Sequence, residues 1–83
     1  MNNYSEEKLS DQQKLVLDYL DKHPFITCRT SILALGIIDL RKRISELRRL
    51  GYDIEDREVK TRNYYGKAIR YKEYFIQKGE QNA

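Results

Sequence analysis

Residues 35–51 read LGIIDLRKRISELRRLG, and this stretch decides the fold of the chain. Apolar residues recur at positions 40, 44, 47 and 50, a spacing that gathers their side chains on one side of an α-helix. At about 100° per residue, Lys42, Ser45 and Arg49 then lie on the opposite side. The pattern predicts a helix over 39–50, capped by its first residue, with one buried face and one mostly basic face.

A first helix is predicted near the start of the chain. Ser10 and Gln13 have the spacing of a capping box, in which each side chain satisfies the backbone N–H of the other residue. The helix covers about 11–22 and must end by His23, because proline follows and disfavours helical geometry before it. Its predicted buried stripe consists of Leu15, Val16, Tyr19 and Leu20.

The segment 25–35 predicts a short extended piece followed by a second helix. Thr27 is a suitable N-cap, and a helix over about 28–35 would turn Ile32 and Leu35 inward. A glycine then supplies the left-handed residue that ends this helix. Two short helices joined by a glycine turn form a helix-turn-helix.

The period changes after Gly51. Residues 52–60 have no helical stripe, and residues 68–76 are rich in strand formers. The loop between them, 61–67, contains the Asn and Gly of a hairpin turn. A hairpin that follows a helix-turn-helix is a wing.

The predicted fold class is therefore α+β, a winged helix-turn-helix with three helices, a short strand and a C-terminal β-hairpin wing. We expect this domain to span 10–76, with a flexible N-terminus at 1–9 and a flexible tail at 77–83.

Composition narrows the possible functions. Eighty-three residues form one small domain without room for a buried catalytic cleft, so we expect no enzyme. The single cysteine allows no internal disulfide or metal cluster, and a reducing cytoplasm is the expected setting. No apolar run approaches the ~20 residues that span a membrane.

Positive charge is concentrated in two segments. The net charge is only +3, but residues 39–50 carry five basic side chains against two acidic ones. Residues 57–72 carry six basic side chains against one acidic one. If the two segments fold onto one side, they form a footprint for a polyanion.

Several short motifs stand in a characteristic order within residues 12–75: Ile26-Thr27, Leu35-Gly36-Ile37, Arg43-Ile44 with Leu47-Arg48, Gly51-Tyr52 with Ile54, and Asn63-Tyr64-Tyr65-Gly66. In this order and spacing the sequence resembles the winged helix-turn-helix domain family of short phage and prophage DNA-binding proteins. The resemblance implies DNA binding in phage gene regulation or recombination, with no enzyme activity and no cofactor. The chain departs from the family in its second helix, where Arg29, Thr30 and Ser31 replace an apolar residue, Glu and Ala.

The candidate DNA contacts follow from this architecture. Lys42, Ser45 and Arg49 are predicted to face bases, since Arg to guanine is the commonest specific contact. The plainer interpretation is a solvated helix face with local ion pairs worth ~0.2–0.5 kcal/mol each. The predicted contacts to the DNA backbone are Arg41, Arg43 and Arg48 on the helix and Arg62, Lys67 and Arg70 on the hairpin. For the hairpin, the plainer interpretation is a charged edge that discourages strand aggregation.

The sequence therefore predicts a DNA-binding regulator, either a transcription regulator or an excision-type architectural factor, with double-stranded DNA as partner. One such module buries only ~600–1,000 Å² on DNA, so we expect a homodimer or cooperative assembly. The alternative is a winged helix that docks on a host or phage protein through Tyr52, Tyr71 or the acidic stretch 53–56. RNA binding lacks the aromatic sheet motifs that it requires.

Overall fold

The computed structural model describes residues 9–77, which form three helical segments followed by one antiparallel hairpin. In chain order these are α1 (Asp11–Lys22), α2 (Cys28–Thr30) continued by a π-helical stretch (Ser31–Leu35), α3 (Leu40–Arg49), β1 (Ile54–Arg62) and β2 (Ala68–Ile76). The predicted α+β fold and its order of elements are confirmed. Of the predicted flexible ends, 1–8 and 78–83 lie outside the described residues, whereas Leu9 is half-buried against the core.

Helix α1 begins at the predicted capping box. The Ser10 hydroxyl accepts from the Gln13 backbone N–H at 3.2 Å, and the Gln13 side chain accepts from the Ser10 N–H at 3.0 Å. Val16 and Leu20 are buried as predicted, but Leu15 is 43% exposed. The buried position on this side of α1 is instead Gln13, whose amide reaches α3. The prediction for Leu15 was wrong because the helix turns a polar residue toward its neighbour.

The second helix buries Ser31 where Ile32 was predicted to face the core. Thr27 caps it as predicted, accepting from the Thr30 N–H at 3.0 Å, and its hydroxyl donates to the Thr30 hydroxyl. Thr27 is buried, Ser31 is completely buried, and Leu35 is half-buried against the core, on the side predicted for it. Ile32, predicted to face inward, is 47% exposed. Ser31 and Leu35 are four positions apart and lie on one side of the helix, so Ile32 is turned away from the core.

A short turn joins this helix to α3. Gly36 adopts φ +69°, the left-handed conformation predicted for it, and the Ile37 N–H donates to the Ser31 carbonyl at 2.9 Å. The Ser31 hydroxyl also donates to the Ile37 carbonyl at 2.6 Å. Both backbone polar groups of Ile37 are therefore held by one residue, and the Ile37 side chain is fixed in the core.

The hairpin pairs β1 with β2 from Ile54 opposite Ile76 to Arg62 opposite Ala68. The predicted loop at 61–67 is shorter in the structure, because residues 61 and 62 continue β1. The predicted short extended piece before α2 is confirmed as a single bridge, in which Ile26 and Tyr74 exchange two backbone hydrogen bonds of 2.9 Å. This bridge fastens the base of the hairpin to the helices.

One apolar core joins the helices to the base of the hairpin. Leu50, predicted to be buried, is 38% exposed, because α3 ends at the residue before it. The core comprises Val16, Leu20, Ile26, Ile37, Leu40, Ile44, Leu47, Ile54 and Tyr74. The distal half of the hairpin lies outside this core, and its side chains there are exposed.

Candidate nucleic-acid interface

Helix α3 is fixed at both ends. The Asp39 side chain accepts from the Lys42 backbone N–H at 3.4 Å, and the acidic cap also suits the positive end of the helix dipole. At the other end, Gly51 takes φ +106° and its N–H donates to the Arg48 carbonyl at 3.0 Å. The predicted helix boundaries are confirmed to within one residue, which fixes the direction of every side chain on it.

The outward face of α3 carries the predicted base-reading residues. Lys42, Ser45 and Arg49 are all exposed, and none of their side chains makes a hydrogen bond or ion pair within residues 9–77. Ile38, just before the cap, is 81% exposed. This face is available to a partner over its whole length.

Arg43 has a different environment, between α3 and α1. Its guanidinium donates to the Gln12 side chain at 3.0 Å and to Glu46 at 3.0 Å, and its side chain is only 18% exposed. Glu46 also accepts from the Gln13 amide at 2.7 Å. The Arg43 Nε is buried without a hydrogen-bond partner within the described residues. This cluster holds α1 and α3 together.

Arg48 joins α3 to β1. Its Nε donates to the Ile54 carbonyl at 2.7 Å, its Nη2 donates to Asp56 at 2.9 Å, and its guanidinium lies 6.0 Å from the centre of the Tyr74 ring. The hydrogen bond from Arg48, with the nearby charge of Lys72, holds the pKa of Asp56 below its ordinary value of 3.8. A carboxylate that remains charged in the folded state keeps Arg48 in place.

A groove of about 370 Å³ lies where α3, the start of α2 and the hairpin meet. We call it the cationic groove, because four of its side chains are basic and one is acidic. The structure thus brings together two predicted backbone-contact residues, Arg41 and Arg70, which are 29 positions apart in the sequence. Its lining residues are Thr27, Cys28, Arg29, Arg41, Glu58, Arg70, Tyr71, Lys72 and Tyr74.

The tip of the hairpin is held in a defined turn. The Asn63 side chain accepts from the backbone N–H groups of Tyr65 and Lys67 at 2.9 and 3.0 Å. Arg62 donates to the Gly66 carbonyl at 2.8 Å and remains exposed. Lys67 is also exposed, and its ammonium has no partner within the described residues. The two predicted backbone contacts at the tip therefore lie on an ordered turn.

Sequence reasoning missed Arg29 and Tyr74 in the cationic groove, whereas Lys72 was among the basic residues predicted to form the positively charged surface of the hairpin. A signal for Tyr74 was present, since alternate residues of a strand share a face. Lys72 and Tyr74 therefore follow Arg70 on one face of β2. Arg29 is exposed at the start of α2, and no pattern in the sequence predicts that it faces the hairpin.

The histidine and the cysteine of the sequence both lie within the described residues. His23 stacks on Tyr19 with ring centres 3.9 Å apart, and its ring nitrogen lies 3.1 Å from the Tyr19 carbonyl. Cys28 is an exposed free thiol. Within residues 9–77 no group of three His, Cys, Asp or Glu side chains is arranged to hold a metal ion, and no helix is long and apolar enough to cross a membrane.

Comparison with known proteins identifies the family. No curated protein and no solved structure gives a significant match to the chain. The winged helix-turn-helix domain family matches residues 11–79, which includes every helix and strand described above. Domains of this type generally bind DNA and are typically non-enzymatic. With this match and the observed fold, the chain belongs to the winged helix-turn-helix domain family.

Proposed function

We propose that this protein binds double-stranded DNA with α3 in the major groove and the hairpin wing on the sugar-phosphate backbone. The observation that carries the proposal is a division among the five basic residues of α3. Arg43 and Arg48 are engaged within the fold, whereas Arg41, Lys42 and Arg49 make no hydrogen bond or ion pair within residues 9–77. Long cationic side chains without internal partners are suited to contact phosphates and base edges.

In this proposal Lys42, Ser45 and Arg49 read bases. They lie on one side of α3, at positions i, i+3 and i+7, and all three are exposed. An arginine that donates two hydrogen bonds to guanine discriminates against other bases by ~1–3 kcal/mol. Arg49 is therefore expected to contribute most to sequence preference.

The backbone contacts are proposed for Arg41 on α3 and for Arg62, Lys67 and Arg70 on the wing. Arg41 and Arg70 already share the cationic groove, and Arg62 and Lys67 flank the tip. For Arg43 and Arg48 the same role has a cost, since their guanidinium groups would exchange carboxylate partners for a phosphate.

The biological setting that we propose is regulation in a phage or prophage, by control of transcription or by shaping DNA for excision. The resemblance of the short motifs to phage and prophage proteins supports it. We propose that the protein acts in the cytoplasm. Because one winged helix covers only a small DNA surface, we propose that it binds as a dimer or as a cooperative array.

A salt titration tests DNA binding. Contacts to about four to six phosphates predict that log K falls with log salt concentration with a slope of roughly −4 to −5. Arg49→Ala should reduce discrimination between sequences, whereas Lys67→Ala should weaken all sequences alike and lower the slope by about 1. Absence of binding to mixed duplex DNA at low salt would contradict the proposal.

One observation favours the alternative of a protein-docking module. Ile32 and Leu33, on the side of the second helix that faces away from the core, are 47% and 72% exposed. Exposed apolar side chains next to each other are typical of protein contacts. The predicted docking stretch at 53–56 is less available, because Asp56 is paired with Arg48 and Lys72. If Leu33→Ala leaves DNA binding intact but abolishes the biological activity of the protein in the host cell, the protein-docking role is correct.

A further inference from the structure

The cationic groove is lined by a tyrosine whose hydroxyl group has no partner within the described residues. The Tyr74 side chain lines the groove, the residue is only 5% exposed, and no hydrogen bond to its hydroxyl occurs within residues 9–77. Its backbone is fixed by the bridge to Ile26 and its ring is covered by Arg48. Among the described residues only the Arg43 Nε is both fully buried and without a partner, so the Tyr74 hydroxyl keeps contact with solvent and is accessible to a ligand.

The groove around this hydroxyl attracts anions. Arg29 and Arg41 have no ion-pair partner within the described residues, and they lie on different elements. Arg70 and Lys72 make only long ion pairs, 3.5 Å to Glu58 and 3.8 Å to Asp56. Four cations around one lining carboxylate leave a strong excess of positive charge beside the hydroxyl.

The hydroxyl also has the protonation state of a donor. Burial raises the pKa of the Tyr74 phenol above its ordinary value of 10.0, and the nearby Arg41 guanidinium opposes this only in part. The phenol therefore keeps its proton at neutral pH. A phosphate oxygen has lone pairs to accept that proton and negative charge to interact with the surrounding guanidinium groups.

We propose that the cationic groove is a seat for one phosphate group, in which the Tyr74 hydroxyl donates a hydrogen bond and Arg29 and Arg41 supply the charge. The phosphate belongs either to a DNA strand that passes between α3 and the wing or to a free phosphate ion. The first source rests on the proposed function, and the second does not.

The test variant is Tyr74→Phe, which removes the hydroxyl and keeps the ring. Because the hydroxyl has no internal partner, the melting temperature should be unchanged. Affinity for duplex DNA should fall about tenfold, the loss of one hydrogen bond to a charged acceptor. Sequence preference should not change, since phosphates carry no sequence information directly. Tyr52→Phe is the matched control, because Tyr52 is half-buried but does not line the groove.

The salt dependence separates the hydroxyl from its cationic neighbours. A neutral donor releases no counterion, so Tyr74→Phe should leave the slope of log K against log salt unchanged. Arg41→Ala should reduce the same slope by about 0.9. If Tyr74→Phe changes the slope as much as Arg41→Ala does, the hydroxyl does not act as a neutral donor and the proposal is wrong.

Two further measurements identify the source of the phosphate. The first uses a duplex chosen by selection from random sequence, in which a neutral methylphosphonate replaces the phosphate at one linkage at a time. The tenfold difference in affinity between wild type and Tyr74→Phe should disappear when the linkage that contacts Tyr74 is replaced. In the second, inorganic phosphate is titrated into the protein alone while the Tyr74 and Arg41 side-chain signals are followed by NMR.

The outcomes are distinct. Loss of the difference at one linkage assigns the seat to DNA. Saturable shifts with inorganic phosphate that Tyr74→Phe removes, with DNA binding the same in both proteins, assign it to free phosphate. If wild type binds no DNA, the proposed function fails and the phosphate titration alone decides the seat. If Tyr74→Phe changes neither measurement, the inference is overturned.

Discussion

Replacing Ser31 by alanine should destabilise the domain through a single hydrogen bond. Ser31 is completely buried, and its hydroxyl donates to the Ile37 carbonyl at 2.6 Å while lying 3.1 Å from the Cys28 carbonyl. Ile37 is itself completely buried, so water does not readily replace the lost donor. A buried carbonyl left without its donor costs about 1.5–2 kcal/mol.

One correction gives the expected size of the effect. Alanine is a better helix former than serine, which offsets up to about 0.5 kcal/mol. The net loss in the free energy of unfolding is therefore about 1–1.5 kcal/mol, which for a domain of this size lowers the melting temperature by ~4–12 °C. Urea unfolding and thermal unfolding followed by circular dichroism both measure it.

Ser45→Ala is the matched control. Ser45 is exposed on α3 and its side chain has no partner within the described residues, so the same substitution there gains helix propensity and loses no hydrogen bond. Its stability should equal or slightly exceed that of the wild type. If Ser31→Ala is as stable as Ser45→Ala, the hydrogen bond to Ile37 does not hold the turn and the reasoning fails.

Three further substitutions test other parts of the fold. Gly36→Ala should lower the free energy of unfolding by about 1–2 kcal/mol, because φ is +69°. No neighbouring atom lies within 4 Å of the added Cβ, so the penalty is backbone strain alone. Gly36→Asn should lose less stability, and equal losses for the two variants in thermal unfolding would contradict this reason. Glu46→Ala should lower the free energy of unfolding by about 1–3 kcal/mol, because it leaves Arg43 without its carboxylate partner, whereas Glu46→Gln should lose less in urea unfolding. The pKa of Asp56 is lowered in the folded state, so its contribution to stability is present above about pH 4 and is lost as the pH falls below that value. The advantage of wild type over Asp56→Asn should therefore be smaller at pH 2.5 than at pH 7, and a difference that is the same at both values would show that the charge is not involved.

Signals within a few residues of each other predicted the local structure well. The capping box of Ser10 and Gln13, the Thr27 cap and the left-handed Gly36 are set by neighbours three or four positions away, and all are present. The second helix was predicted in place, and Leu35 packs on the core as predicted, but Ile32 was assigned to the core where Ser31 lies. Ile32 and Ser31 lie three and four positions before Leu35, so helical spacing alone does not decide which of the two is buried.

The candidate interface depends more on contacts between distant residues. Gln12 and Arg43 are 31 positions apart, and nothing in the spacing of either residue indicates that they meet. Strand alternation puts Tyr74 on one face of β2 with Arg70, but it does not show that α2 and α3 form a groove with that face. The sequence predicts which residues of α3 point outward, but it does not predict which of its arginines the rest of the fold already engages.

The way in which the hairpin is attached has a consequence for how such proteins diversify. Only its base is packed in the core, through Ile54 and Tyr74, while β1 and β2 continue into solvent. Strand faces alternate with a period of two, so inserting two residues into each strand keeps every side chain on its original face. Each such insertion extends the wing by about 7 Å without a change in the core. The reach of the wing is therefore a property that can vary in discrete steps, independently of the stability of the helices.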